Sequence, residues 1–145
     1  MTLKLLDVVS FVGHSNIRAT NKSTIEVTTE DFLTPRGDCI IGILAEKGCS
    51  QLSEEAKSWL QKDSANVLIK IIVNNLEFVF TASGSSRLTH KNKTSMVIRK
   101  SDFVSDRTLV IRANAAASDI PREMIAYLKR GEKGKLEIYQ NNFLL

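Results

Sequence analysis

The sequence lacks most of the features from which a function is usually inferred. It has two cysteines, Cys39 and Cys49, whose separation fits neither a CxxC pair nor a metal site. We therefore expect two reduced, buried thiols, with a disulfide between them as the alternative. No apolar run approaches the roughly 20 residues of a membrane helix, and the amino terminus has no signal-peptide pattern. A cytoplasmic protein without a membrane partner is predicted.

The signature motifs of enzymes and metalloproteins are also missing. There is no glycine-rich phosphate loop, no GxSxG, no HExxH and no zinc pattern. We therefore predict no cofactor and no bound metal. No enzyme class with a recognisable motif is supported, although catalysis of another kind stays open.

Acidic residues are absent from one stretch of the chain, which is the only local charge cluster. Residues 1–73 carry a net charge of −1 and residues 74–145 a net charge of +5. The cluster has five basic side chains and no acidic one: Arg87, Lys91, Lys93, Arg99 and Lys100. Together with a pI near 9.2, it predicts an anionic partner, RNA or DNA, with a solvated hairpin as the alternative.

Aromatic residues make up only 6% of the chain, and none falls between residues 87 and 100. The stacking platform expected for single strands is therefore missing from the cluster itself. Contact with the backbone of a duplex or a structured RNA does not need such a platform.

The chain reads as two copies of one unit, about residues 1–73 and 74–145. At an offset of 71 residues, seven identities fall in a window of 24, among them Asp31-Phe32 with Asp102-Phe103 and Arg36 with Arg107. Average residue usage would give about one or two. After the arginine, the second copy is three residues shorter. A single domain is predicted, because the two copies together are needed for one core.

Each copy is predicted to run strand, strand, loop, strand, helix, strand. In the first copy, strands are expected over 3–12, over 17–28 with a break at Asn21-Lys22, and over 39–45. Strands over 67–73 and 76–82 form a hairpin that turns at Asn74-Asn75. We expect a mainly β, β-rich α+β fold with two short helices, either closed as a β-barrel or packed as a β-sandwich, because one unit alone leaves strand edges unpaired.

The helices are predicted from two apolar stripes of equal spacing. Ser50 or Ser53 is the expected N-cap of the first helix, and Glu54 and Glu55 suit its first turn. The two stripes, which we expect to face the core, are Leu52, Ala56, Trp59 and Leu60 in the first copy and Ile120, Met124, Tyr127 and Leu128 in the second.

Two loops, residues 34–38 and 105–108, are the most site-like segments. Arg36 and Arg107 would stand at twofold-related places, where their planar guanidinium groups suit a phosphate or a carboxylate. The alternative is that each arginine pairs with a neighbouring aspartate. Lys47, which follows a strand and precedes a helix, is the third residue predicted to bind an anion.

Two residues are candidates for catalysis, if there is any. His14 lies in a Gly-His-Ser-Asn turn and has the side chain best suited to proton transfer near neutral pH. Asp38 ends the first arginine loop. A metal set of His14, Asp38, Cys39 and His90 is weak, because no two of them have ligand spacing.

Long motifs in both copies resemble an archaeal family of uncharacterised proteins, domain of unknown function 371. They are Gly13-His14 with Asn16, the run Leu33–Cys39, Lys47, Arg99–Phe103 and Asp106–Thr108. The resemblance implies an archaeal, cytoplasmic, mainly β protein without an assigned activity. The chain departs from the family at Asn21, where histidine is usual, and at Ala115, where lysine is usual.

These observations favour a binding module for an anionic partner, with an RNA or DNA backbone ahead of a phosphorylated metabolite. The alternative is a small-molecule enzyme or ligand-binding protein at the seam between the copies, using His14, Arg36, Asp38 and Arg107. A third possibility is a structural subunit whose exposed strand pairs with a partner. The oligomeric state stays open.

Overall fold

The computed structural model describes residues 2–143, which form eight strands and two short helices. The first half of the chain contributes β1 (Leu3–Val12), β2 (Thr24–Thr28), β3 (Ile40–Gly42), α1 (Glu54–Leu60) and β4 (Asn66–Val73). The second contributes β5 (Leu76–Ser83), β6 (Ser95–Arg99), β7 (Thr108–Val110), α2 (Arg122–Lys129) and β8 (Lys133–Asn141). Single 3-10 turns, Cys49–Gln51 and Ala117–Asp119, precede the helices. The predicted β-rich α+β class with two short helices is confirmed.

Each of the two four-stranded sheets takes strands from both halves. The first sheet has the order β1-β8-β4-β5 and is antiparallel throughout. The second has the order β3-β2-β6-β7, with parallel outer pairs. Its centre is the antiparallel pair β2 and β6, where Glu26 lies opposite Val97.

Of the two closures predicted, the barrel is wrong. Neither sheet closes on itself, and between residues 2 and 143 the two sheets are joined by single bridges, Val12 to Ile43 and Ser83 to Ile111. The reason is local. Leu44 and Arg112, which directly follow the bridging isoleucines, have left-handed backbone with φ of 51° each, so the ladders stop there. Two open sheets packed on one core result.

Alternation of buried and less buried side chains builds the core side of the first sheet. In β4 every second side chain is buried, and these are Val67, Ile69, Ile71 and Val73. Both predicted helix stripes face the same core, with Leu52, Ala56 and Leu60 buried from the first and Ile120, Met124 and Leu128 from the second. Ser53 is the N-cap of α1, since its Oγ accepts from Ala56 N at 3.1 Å. Trp59 and Tyr127 lie half-buried at the edge of the stripes.

Two strands are shorter in the structure than the sequence pattern predicts. Residues 17–20 form no strand, because Ala19 takes a φ of 51°, although Ile17 and Ala19 are buried. The strand expected over 39–45 is confined to β3. In the second half, His90 has the corresponding left-handed backbone, with a φ of 50°.

The two halves interlock, so that each supports the other. A Cβ at Gly13 would collide with the backbone carbonyl of Leu128, and one at Gly84 with that of Leu60. Among residues 2–143 neither helix is long or apolar enough to cross a bilayer.

Candidate anion-binding face

The second sheet has one face turned away from the core. Alternation sends Ile25 and Val27 of β2, and Met96 and Ile98 of β6, into the core. The opposite side chains form what we call the outer face: Thr24, Glu26, Thr28, Ser95, Val97 and Arg99. Glu26 is only 8% exposed, so a carboxylate lies nearly buried at the centre of this face.

Glu26 collects a positive charge and a thiol. Its Oε2 lies 3.8 Å from a guanidinium nitrogen of Arg107, and its Oε1 accepts from the Cys39 thiol at 3.6 Å. Arg107 keeps 48% of its side chain exposed. Arg107 therefore pairs with a carboxylate, as the alternative proposed, but with Glu26 rather than with a neighbouring aspartate. The alternation along β2 indicates that Glu26 lies on the outer face, but no local pattern brings Arg107 to it.

Arg99 lies beside this cluster. Its Nε donates to Thr108 Oγ1 at 2.8 Å and its Nη2 to Ser105 Oγ at 3.2 Å. Burial, and next to it the positive charge of Arg107, lower the pKa of Arg99. The guanidinium nevertheless stays charged near neutral pH. Arg99 on the outer face and Arg107 in the loop before β7 thus lie near one buried carboxylate.

The backbone does not place Arg36 and Arg107 at equivalent positions. Glu26 N donates to Cys39 O at 2.9 Å, and its partner across the sheet, Val97 N, donates to Arg107 O at 2.8 Å. The structural counterpart of Arg107 is therefore Cys39. Arg36 is exposed in a turn closed by Gly37 N and Thr34 O at 3.0 Å. Anion binding by these two arginines stays a prediction.

The basic segment, residues 87–100, consists of the loop that leads into β6, of β6 itself and of Lys100. Arg87, Lys91 and Lys93 are exposed, and within residues 2–143 none of the three forms an ion pair. Arg87 Nη2 donates to the carbonyl of Asp102 at 2.8 Å, while Lys100 lies 3.5 Å from Asp119. Only Lys100 of the five predicted basic side chains therefore has a carboxylate partner in the described part of the chain, and three of the other four are exposed.

Lys47 already has a carboxylate partner. Its Nζ lies 2.8 Å from Asp7 Oδ1, and Asp7 Oδ2 accepts from Ser53 N at 2.8 Å. Burial alone would raise the pKa of Asp7, but the bond from Lys47 and the backbone donors outweigh it and hold that pKa below its usual value. An anion bound at Lys47 would have to compete with the carboxylate of Asp7. The predicted anion site at Lys47 stays a prediction.

The candidates for catalysis have local partners instead of each other. His14 Nδ1 accepts from Asn16 N at 2.9 Å, and Asp38 Oδ1 accepts from Asn21 Nδ2 at 3.2 Å. Three clefts, of about 200, 360 and 280 Å³, lie along the first sheet and its edges. None of these three is lined by His14, Arg36, Asp38 or Arg107.

The two thiols, of which Cys49 is buried and Cys39 partly exposed, and the buried histidine are held in their neutral forms. Burial, with the charge of Glu26, raises the pKa of Cys39 to about 11, and burial raises that of Cys49 to about 12, so neither is an activated nucleophile. His90 donates from Nε2 to Leu109 O at 3.0 Å and accepts at Nδ1 from Gln61, while burial lowers its pKa. Both cysteines are free, and no three ligand side chains among residues 2–143 cluster as a metal site.

Comparison with known proteins agrees with the resemblance seen in the loops. Residues 9–141 match the family described as a domain of unknown function, DUF371. An uncharacterised protein of Methanocaldococcus jannaschii is 41% identical over 126 residues, which cover 87% of this chain and 93% of that protein. The predicted resemblance to an archaeal family is confirmed.

Proposed function

The chain belongs to the domain of unknown function family DUF371, and because that description assigns no activity, we propose a function from the geometry of the outer face and the basic segment. The protein is a binding module for an anionic partner. An RNA or DNA backbone is the partner we favour over a small phosphorylated metabolite. No catalytic step is part of this proposal.

The observation that carries the proposal is the exposure of unpaired positive charge. Arg87, Lys91 and Lys93 are all exposed and form no ion pair within the described residues. Charges spread over residues 87–93 of one loop match an extended polyanion better than a single phosphate. Neutralising phosphates along a backbone releases counterions, which is the main source of affinity in such contacts.

Binding of mixed-sequence RNA and DNA, measured by fluorescence anisotropy across a salt series, tests the proposal. The variant Arg87→Gln/Lys91→Gln/Lys93→Gln should bind more weakly, and its slope of log K against log salt should fall by roughly 2 to 3, at about 0.7 to 0.9 per phosphate contact. Its urea midpoint should not fall, because these side chains are exposed.

The first half of the chain offers a matched control. Arg18 and Lys22 are exposed and occupy the corresponding loop before β2. Arg18→Gln/Lys22→Gln removes two charges and should leave most of the binding intact. Undetectable wild-type binding at low salt, or an affinity indifferent to salt, would overturn the nucleic-acid proposal.

A small-molecule site at the seam between the halves is the second candidate. Its supporting observation is the Glu26 cluster, where Arg107 and Arg99 face one carboxylate between β2 and β6. A small anion would take the place of Glu26 beside Arg107. Thermal unfolding with inorganic phosphate or pyrophosphate should then show stabilisation that Arg107→Gln removes. If the site also used His14, Arg36 and Asp38, these three side chains would have to reach the ligand that Arg107 binds.

We also propose that the two halves descend from one duplicated unit, about residues 1–73 and 74–145. The proposal is supported by the order of elements, which is the same in both halves, and by left-handed backbone at Ala19 and His90, and again at Leu44 and Arg112. Duplication followed by a change of surface charge explains why one half is basic and the other is not.

A further inference from the structure

Phe103 stands exposed beside the basic segment. Its side chain is 58% exposed, in the loop directly after β6. The guanidinium carbon of Arg99 lies 4.9 Å from the centroid of its ring. Arg87, through the carbonyl of Asp102, ties the basic segment to the residue next to Phe103. An aromatic ring therefore stands where the sequence of residues 87–100 offered none.

We infer that Phe103 is a stacking platform for a base of single-stranded nucleic acid. The inference rests on the proposed function and narrows it. Arg99 covers one face of the ring by a cation-π contact, and the exposure of the residue leaves the other face open. A base stacked on the open face would complete a stack of guanidinium, ring and base. Arg87 and Lys91 would reach the phosphates on either side.

The same geometry favours a single strand over a duplex. In a duplex the faces of the bases are already stacked on each other, so an exposed ring gains nothing unless a base is extruded. A single strand has free base faces, and each base has one whatever its identity. The platform should therefore bind single-stranded RNA and DNA with little sequence preference.

Phe32 is an internal control provided by the chain. It is exposed to the same 58% and lies in the corresponding loop of the first half. Thr29, Glu30 and Asp31 precede it, whereas Lys100, Ser101 and Asp102 precede Phe103. No guanidinium or ammonium group among residues 2–143 stacks on the Phe32 ring. If stacking alone gave the affinity, substitution of either ring should weaken binding equally. If stacking needs nearby cations, only substitution of Phe103 should weaken it.

Anisotropy with fluorescein-labelled single strands of about 12 nucleotides, a common site size, tests the inference. At about 0.1 M salt, Phe103→Leu should weaken the binding of single-stranded RNA and DNA by roughly 5- to 150-fold. The slope against salt should stay as in the wild type, because no charge is removed. Phe32→Leu should change the affinity less than about twofold, and a blunt duplex should bind both variants equally.

A second variant reads the contact directly. Phe103→Trp keeps a stacking surface, so it should retain the affinity, and its fluorescence should be quenched by the strand, whereas Phe32→Trp should not respond. If Phe103→Leu leaves single-strand binding unchanged and Arg87→Gln/Lys91→Gln/Lys93→Gln weakens it, the stacking platform is overturned. The proposed contact with the backbone would then be retained. Absence of binding by the wild type would overturn the proposed function itself.

Discussion

Residues 16–29 and residues 87–100 follow the same backbone course and carry different charges. Each segment contains an asparagine whose side chain organises the turn before the central strand. Asn21 Oδ1 accepts from Ser23 N at 2.8 Å and Thr24 N at 2.9 Å, and Asn92 Oδ1 makes the same two bonds at 2.9 and 2.8 Å. Each asparagine amide then donates to an aspartate of the following loop, at 3.2 and 3.3 Å.

The difference between the segments lies in side chains that the turn does not use. The first segment has Asn16 and Thr20 where the second has Arg87 and Lys91. Because the first segment reaches the same geometry without those charges, the fold does not need them in the second. Exposed like charges also repel each other, so their cluster costs some stability. A role in binding accounts for them better than a role in folding.

The largest effects should come from substitutions that disrupt the close contact between a glycine and a helix, which both halves contain. Gly13→Ala and Gly84→Ala each place a Cβ against a backbone carbonyl in the last turn of the helix in the other half. The neighbouring atoms are backbone and cannot turn aside, so we expect each change to lower the free energy of unfolding by roughly 3 kcal/mol. Urea denaturation measures it.

Gly131→Ala is the control for these two substitutions. Gly131 has a φ of 84° but open space around its Cα, so alanine there should cost only the left-handed penalty of roughly 1 kcal/mol. Similar losses at Gly13 and Gly84 would support equivalent packing in both halves. A mild effect at either one would show that the halves do not interlock as described.

An intermediate effect is expected where the halves differ in their packing. Asp7 and Lys47 form an ion pair whose side chains are 8% and 23% exposed. At the corresponding places, offset by 71 and 68 residues, the second half has Phe78 and Ala115. Lys47→Met should lower the free energy of unfolding by roughly 2 kcal/mol near neutral pH, because a mostly buried carboxylate loses its charged partner.

The pH dependence of that loss follows from Asp7. Its pKa in the folded protein lies below the ordinary value of 3.8, so its contribution is present above that pH and is lost as the pH falls through the folded pKa. The gap between wild type and Lys47→Met should therefore narrow in acid. Lys70→Met, which removes a more exposed pair with Glu77, should cost less than roughly 0.5 kcal/mol. A gap that is equal near neutrality and in strong acid would rule out the ion pair as its cause.

Local patterns in the sequence were sufficient for much of the fold. The hairpin of β4 and β5 and its turn at Asn74, whose φ is 58°, were predicted because strand patterning and turn chemistry act within a few residues. The helix stripes were predicted for the same reason. The strand predicted over 17–20 does not form, because Ala19 has a left-handed backbone conformation. That conformation has no signature in the residue type, so the sequence could not predict it.

The candidate site was less predictable, since it depends on pairing between distant strands. The proximity of Arg107 to Glu26 requires the register of β2 against β6, which no local pattern gives. The gapless alignment of Arg36 with Arg107 also hid the equivalence of Arg107 with Cys39, because the three-residue difference falls inside the loop. The contact of Arg99 with Phe103 crosses the boundary of the basic segment and is visible only in three dimensions.

The smallest expected effect distinguishes the net charge of the protein from the position of a single positive charge. Lys91→Thr gives the second half the residue that the first half has, and Thr20→Lys, at an exposed position, does the reverse. Lys91→Thr alone should weaken nucleic-acid binding about fivefold at 0.1 M salt, the share of roughly one phosphate contact. If net charge alone governed binding, the double variant Thr20→Lys/Lys91→Thr would recover the wild-type affinity in anisotropy. We expect it to stay as weak as Lys91→Thr, because a lysine at position 20 lies in the loop before β2, outside the basic segment.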